Sequence, residues 1–268
     1  MQAATKVKNA VINSAVRRVR KIIKLRHGSR MVNYLAGDYE LAPGPLNYNA
    51  DGLACSTNCD FLRDERFIRA YEFGKSTGSW ADYDVRWRAY VVCWAADHVR
   101  NLPGDFVECG VNRGGYSRTV IDYVDFPSLP KKFYLLDTFQ GLANDCISDA
   151  ERARGIEAGG YEECYEKVVE TFKGFNVEII RGVVPYTLAN VKTEQVCYLS
   201  IDMNCAGPEI AAAEFFWDKL VSGAVVVLDD YGRGDRYYEQ KQAFDRFAAA
   251  RSVQILLLPT GQGLIFKP

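Results

Sequence analysis

The stretch "ILLLPTGQGLIFKP", residues 255–268, decides between two architectures. Its two apolar runs are separated only by "PTGQG", too short to hold the helix that a parallel crossover requires. They are therefore expected to pair as an antiparallel hairpin. Upstream, from residue 105, the texture is different. "DFVECGV" (105–111), "KFYLLD" (132–137), "NVEIIRG" (176–182), "VCYLSID" (196–202) and "AVVVLDD" (224–230) read as strands. Helical patterns fall at 115–124, 161–173, 208–220 and 238–250. Strands apolar on both faces and alternating with helices predict a parallel, doubly wound sheet. With "SVQILLL" (252–258) and "GLIFK" (263–267) added, the expectation is an α/β fold. It has a seven-stranded, mostly parallel, Rossmann-like sheet with an antiparallel C-terminal hairpin.

At 268 residues and 48% hydrophobic, the chain can bury a full core. A net charge of −1 argues against a nucleic-acid-binding protein. The charge is uneven, because residues 1–30 carry nine basic side chains and no acidic one. Within them "AVINSAVRRVRKIIKLR" (10–26) places Ile12, Val16, Val19 and Ile23 on one face of a basic amphipathic helix. Two readings stand for it: docking on an anionic membrane surface or acidic partner, and packing of its apolar face on the body. Residues 31–60 read as an extended connector, followed by helices near 60–74 and 84–100. Three segments result: a basic helix (1–30), a connector and helical cap (31–104), and a cofactor-binding domain (105–268).

No apolar run reaches the roughly 18–20 residues of a membrane span, and no signal-peptide pattern opens the chain. The eight cysteines show no CxxC pair and read as reduced thiols of a cytosolic protein. Cys55 and Cys59 are half a zinc site at most, with neither histidine close in sequence.

In an open α/β sheet the ligand sits beyond the carboxyl ends of the strands, near the switch in strand order. The first strand ends in "ECGVNRGG", with Glu108, Gly110, Gly114 and Gly115 spaced E-x-G-x-x-x-G-G. This is not the G-x-G-x-x-G of dinucleotide binders. An acid at Glu108 repels a pyrophosphate but pairs with the ammonium of an amino-acid moiety, which favours S-adenosylmethionine over NAD. Asp137, ending the second strand, suits a ribose diol, with an N-cap as its bland alternative. Arg181 and Gly182, ending the third, fall where an adenine rim would be.

The fourth and fifth strands end on Asp202 and on the pair Asp229–Asp230. If the strands are neighbours, three carboxylates meet at one rim. Such a set, lacking histidine and thiolate, describes a hard-cation site, Mg²⁺ most naturally. The alternative is that Asp202 caps the following helix and that Asp229 or Asp230 pairs with Arg233 or Arg236.

Taken together, "GDFVECGVNRGG", "KKFYLLDTFQGL", "RGVVPYTL", "LSIDMNCAGPEIAAAEFFWDKLVSGAVVVLDDYG" and "PTGQGLIFKP" resemble the macrocin O-methyltransferase (TylF-like) family of class I methyltransferases. The resemblance runs from about residue 50 to the C-terminus. It implies the methyltransferase fold, of which the closing hairpin is a feature, and methyl transfer from S-adenosylmethionine to a hydroxyl, commonly of a sugar or glycosylated metabolite. It also implies Glu108, Gly110 and Asp137 as cofactor residues, Asp202, Asp229 and Asp230 as Mg²⁺ ligands, and self-association as a homo-oligomer. Two departures stand out. Asn204 replaces the second acid of the family's D-x-D-L-Y, and residues 138–160 hold no histidine to act as base. Asp202 is then the candidate proton acceptor, as well as a ligand. Of the two histidines, His27 lies in the basic helix and His98 in the cap.

Three rivals compete with this reading. They are a metal-independent methyltransferase, a non-catalytic protein keeping the fold, and an NAD-linked oxidoreductase, which Glu108 and the terminal hairpin disfavour. Trp80, Tyr83, Trp87 and Tyr90 read as core aromatics, with stacking on a sugar face as the alternative.

Overall fold

A computed structural model describes residues 45–268, and the basic stretch 10–26 lies outside the described residues. The chain first forms a small hairpin, β1 (Tyr48–Ala50) and β2 (Leu53–Cys55). Asp51 and Gly52 turn it, both with positive φ (52° and 79°), as a two-residue hairpin turn requires. Helices α1 (Glu65–Ser76) and α2 (Arg86–Val99) follow, with Asp64 capping α1 by accepting the Arg66 N–H at 2.9 Å.

The sheet begins at β3 (Asp105–Cys109). After it come α3 (Gly115–Tyr123), β4 (Phe133–Asp137), the short α4 (Asp149–Ala153), α5 (Tyr165–Thr171) and β5 (Val177–Arg181). The second half adds β6 (Val196–Ile201), α6 (Ala206–Trp217), β7 (Leu220–Leu228), α7 (Tyr238–Ala250), β8 (Leu256–Leu257) and β9 (Gly263–Phe266). Strand order is β5-β4-β3-β6-β7-β9-β8. The strands from β5 to β7 pair in parallel, whereas β9 runs antiparallel to both β7 and β8. The order reverses between β3 and β6, and that places the ligand crevice at their carboxyl ends.

The central strands are mostly apolar because both their faces are covered. Along β3, Phe106 faces one core and Val107 the other; Tyr198 and Leu199 on β6 divide likewise, as do Val225 and Val226 on β7. The second face is closed by α6 and α7 through Phe216 and Phe244. The first is closed by α1, α2 and α3: Phe67, Val92 and Ile121 share a core with Phe106, Tyr198 and Val225. Helices expected as a separate cap are thus a layer on the sheet, and no core boundary falls at residue 104. Each fully buried aromatic here contributes about 1.5–3 kcal/mol over an exposed one.

The "SVQILLL" segment narrows to Leu256–Leu257, and Ser252, with a left-handed φ of 54°, lies in the turn that precedes it. No described helix is long and apolar enough to cross a membrane. All cysteines among the described residues carry free thiols, with Cys55 and Cys59 sulfurs 4.0 Å apart.

Candidate active site

One cleft opens at the carboxyl ends of β3, β4, β6 and β7. Glu108, Gly110, Asp137, Gly182, Asp202, Asp229 and Asp230 line it together, although they are scattered over more than a hundred positions. Gly114 and Arg181, expected beside them, lie elsewhere. Gly114 is the left-handed residue preceding α3 and sits under the Phe172 ring. Arg181 turns outward to pair with Glu163 at 3.0 Å and cover the Tyr165 ring.

The β3 side is built around a sharp exit from the strand. Gly110 has φ 93°, and a Cβ there would meet the Asp202 carbonyl oxygen at 1.9 Å. Only glycine lets the ends of β3 and β6 approach so closely. Asp137 then fastens the turn: one carboxylate oxygen accepts the N–H groups of Val111 (2.6 Å) and Asn112 (2.8 Å), and the other accepts that of Phe139 (2.5 Å). A carboxylate offers about four acceptor sites, and these bonds occupy most of them. Asp137 is therefore first a brace for the glycine turn, a role between the ribose ligand and the N-cap expected of it. Glu108, 2% exposed, accepts a hydrogen bond from the Ser117 hydroxyl. Burial, with the charges of Asp137 and Asp229 adding to it, pushes its carboxyl up to about 8.

The β6–β7 side holds the acids. Asp229 is 2% exposed and fully partnered: Arg88 of α2 donates to one oxygen, and the Gln262 side chain, from the turn between β8 and β9, donates to the other at 2.9 Å. Arg88 is gripped on its other edge by Asp51, at 2.6 and 3.3 Å, and Arg233 reaches Asp51 at 3.1 Å. Asp230 has the Arg233 guanidinium 3.9 Å away, and burial together with Asp229 lifts it to about 7. Asp202 is raised well above the ordinary range by burial and by the charges of Asp229 and Asp230. Its nearest donor is the Asn204 amide at 3.3 Å, and Asn204 in turn accepts from the Tyr237 hydroxyl at 3.1 Å.

The positive partner that adjacent aspartates demand is thus an arginine. Mg²⁺ takes six oxygen ligands in near-ideal octahedral geometry, usually one or two carboxylates with several waters. Each Asp229 oxygen already accepts from a side-chain donor, and a guanidinium stands against one of them. The trio as folded does not fit a hard cation. Among the described residues no cluster of three or more His, Cys, Asp or Glu side chains is arranged to hold a metal ion.

Several residues at the cleft had no reading from sequence. Arg88 and Gln262 join Asp229 across 141 and 33 positions, and no local pattern marks either. Tyr116 lines the cleft with a buried hydroxyl that has no hydrogen-bond partner among the described residues. Glu209 at the start of α6 accepts from the Met203 N–H (3.0 Å) and the Gln240 side chain (2.7 Å), and burial raises it to about 8. Of the aromatics, Trp87 and Tyr90 pack on Phe61 in the core and Tyr83 is 75% exposed. Trp80 alone lines the cleft, stacked on Tyr71. His98 stacks on Trp94, away from the cleft lining.

A switch-point cleft with an acid and a glycine turn after β3, on a sheet closed by an antiparallel strand, is the architecture of a class I methyltransferase. The sequence profile of the macrocin-O-methyltransferase (TylF) family matches residues 85–258. The chain belongs to that family. Among solved structures, the fold is similar to that of the O-methyltransferase NovP, with 19% identity over 72% of this chain and 88% of that one and a TM-score of 0.59. It is also similar to CalS11, calicheamicin methyltransferase, at 15% identity over 78% and 94% with a TM-score of 0.55. Another structure of CalS11, described as a TDP-rhamnose 3'-O-methyltransferase, has 16% identity over 78% and 96% and a TM-score of 0.50. No curated protein sequence matches the chain significantly.

Proposed function

We propose that the protein methylates a hydroxyl of a sugar or of a glycosylated metabolite. One observation carries this reading: the glycine turn at Glu108–Gly110 and the acidic rim at Asp202–Asp229–Asp230 share a single cleft across the switch point. Support for a sugar comes from CalS11, whose description names a TDP-rhamnose acceptor, and from the indole of Trp80 on the cleft wall.

Glu108, the Gly110 turn and Gly182 would hold the cofactor, with Asp137 keeping the turn in shape. The fit rests on Glu108, a buried acid on the cleft wall suited to an ammonium group. S-adenosylmethionine, when bound, supplies a methyl group carried on a sulfonium. Its methyl group would pass to the acceptor oxygen, with the pair of the broken S–C bond staying on sulfur. The proton leaving that oxygen passes to the Asp202 carboxylate. Burial and the neighbouring aspartates raise the proton affinity of Asp202, which makes it a better base for a hydroxyl than an ordinary aspartate. Activation of the hydroxyl falls to Asp202, with Asp229 committed to Arg88 and Gln262.

The test is calorimetric binding of S-adenosylhomocysteine, followed by transfer of labelled methyl groups to a panel of free, glycosidic and nucleotide-linked sugars beside simple phenols. Cofactor binding with transfer to sugars is expected. Transfer confined to phenols would discard the sugar acceptor, and absence of cofactor binding would overturn the whole reading.

A further inference from the structure

We propose that Arg88 is the resident cation of the acidic rim, standing where the acids would otherwise draw in a divalent ion, and that it also donates to the acceptor's oxygens. The proposal rests on the methyltransferase reading of the cleft.

Arg88 is not a surface side chain that happens to touch an acid. It projects from α2, whose apolar face is part of the sheet's own core. Its side chain is 15% exposed, and both edges of the guanidinium are held, by Asp229 on one side and Asp51 on the other. Asp51 sits at the tip of the β1–β2 hairpin and is itself held by Arg233, so hairpin, helix and sheet rim converge on one fixed charge. Arginine keeps its proton under all ordinary conditions, so this charge is permanent.

A permanent charge here has two effects. Asp229 has both its oxygens partnered without an ion, by Arg88 and by Gln262. A divalent cation approaching the same rim meets like charge in a poorly solvated setting, where close charges repel more strongly than in water. The guanidinium also has capacity left. Of its five N–H groups three are engaged with Asp51 and Asp229, and Arg88 lines the cleft. Two N–H groups in a planar fork suit two neighbouring oxygens of a polyhydroxylated acceptor.

The deciding experiment titrates Mn²⁺ into the full-length protein, followed by electron paramagnetic resonance, with S-adenosylhomocysteine binding measured on the same samples. Wild type should show no saturable Mn²⁺ site. Arg88→Met should gain one, and adding Asp229→Asn to that variant should abolish it. Arg88→Lys, which keeps a charge and guards against misfolding of the methionine variant, should gain none. In wild type, methyl transfer should be insensitive to EDTA, and in Arg88→Lys the acceptor KM should rise more than kcat falls. A wild-type Mn²⁺ site that Asp229→Asn removes would overturn the proposal, as would an Arg88→Met variant that folds and gains no site. Failure of wild type to bind S-adenosylhomocysteine would instead sink the methyltransferase reading, and the ion titration would still be readable.

Discussion

Gly110 and Asp202 are in backbone contact: the carbonyl oxygen of Asp202 lies where a side chain on residue 110 would begin, 1.9 Å from an ideal Cβ. The turn for the cofactor and the candidate base are therefore set by one another. Gly110→Ala must either move Asp202 or leave its φ of 93°. The left-handed backbone costs a non-glycine residue about 1–2 kcal/mol, and overpacking adds about 1–3 kcal/mol. We expect about 2–5 kcal/mol of lost stability in urea unfolding, with loss of S-adenosylhomocysteine binding. An alanine variant of unchanged stability that still binds would contradict the contact.

Asp202→Asn should separate chemistry from binding. Loss of a positioned proton acceptor lowers turnover by about 10²–10⁴-fold. Affinity for S-adenosylhomocysteine should stay within a factor of a few, because the proposed cofactor contacts come from Glu108, the Gly110 turn and Gly182. Equal loss of kcat and of cofactor affinity would show that Asp202 only shapes the rim.

Glu108 makes the cofactor site sensitive to pH. Its folded value of about 8 stands above the ordinary 4.5. The stability that its protonated form contributes is full below the unfolded value and is lost as pH rises through the folded one. The melting temperature of the cofactor-free protein should therefore fall between about pH 5 and pH 8, more gently in Glu108→Gln. Glu209 and Asp230 share that slope, since they are raised to about 8 and about 7. Binding of the cofactor ammonium favours the ionised acid, so S-adenosylhomocysteine should bind more tightly as pH rises toward 8, and this trend should vanish in Glu108→Gln. Parallel pH profiles for the two proteins would remove Glu108 from the site.

Glu151 ties the loop after β4 to α6. One of its oxygens accepts the Ala206 N–H at 2.7 Å, while the other accepts the Ser148 N–H (2.9 Å) and hydroxyl (2.7 Å) in a capping box. Leaving such buried donors unpaired costs about 1–3 kcal/mol. Glu151→Ala should lower stability by that amount and raise amide exchange over residues 144–153, with the β-strands unaffected. Uniform exchange changes across the sheet would show that the effect is global rather than a loosened loop.

Much of this was readable in the chain because two-sided burial leaves a plain trace. Strands such as "VCYLSID" carry no polar face, and their terminal acids fall at the one rim where a parallel sheet collects ligands. Glu108, Asp202, Asp229 and Asp230 were placed at the cleft on that logic alone. The β1–β2 hairpin was passed over within a polar connector, although its Asp51–Gly52 pair is a strong two-residue turn signal flanked by Ala50 and Leu53. Arg88 was out of reach for a different reason: its spacing in α2 looks like any helical arginine, and only the packing of α2 on the sheet aims it at Asp229. Arg181 shows the opposite error. Strand position placed it at the rim, but the last residue of an edge strand is free to turn to solvent, and it does.

Gln262 belongs to the turn between β8 and β9, and β9 lies between β7 and β8 in the sheet. The order of synthesis thus matters to the site. Asp229 leaves the ribosome well before its second partner, and β7 has no neighbour on its outer edge until β9 emerges. An unfinished chain holds an aspartate that is half partnered beside an open strand edge, the kind of surface on which other chains pair. The last residues of this fold close the sheet and complete the acidic rim in one event, so a nascent or truncated chain should be both inactive and prone to aggregate.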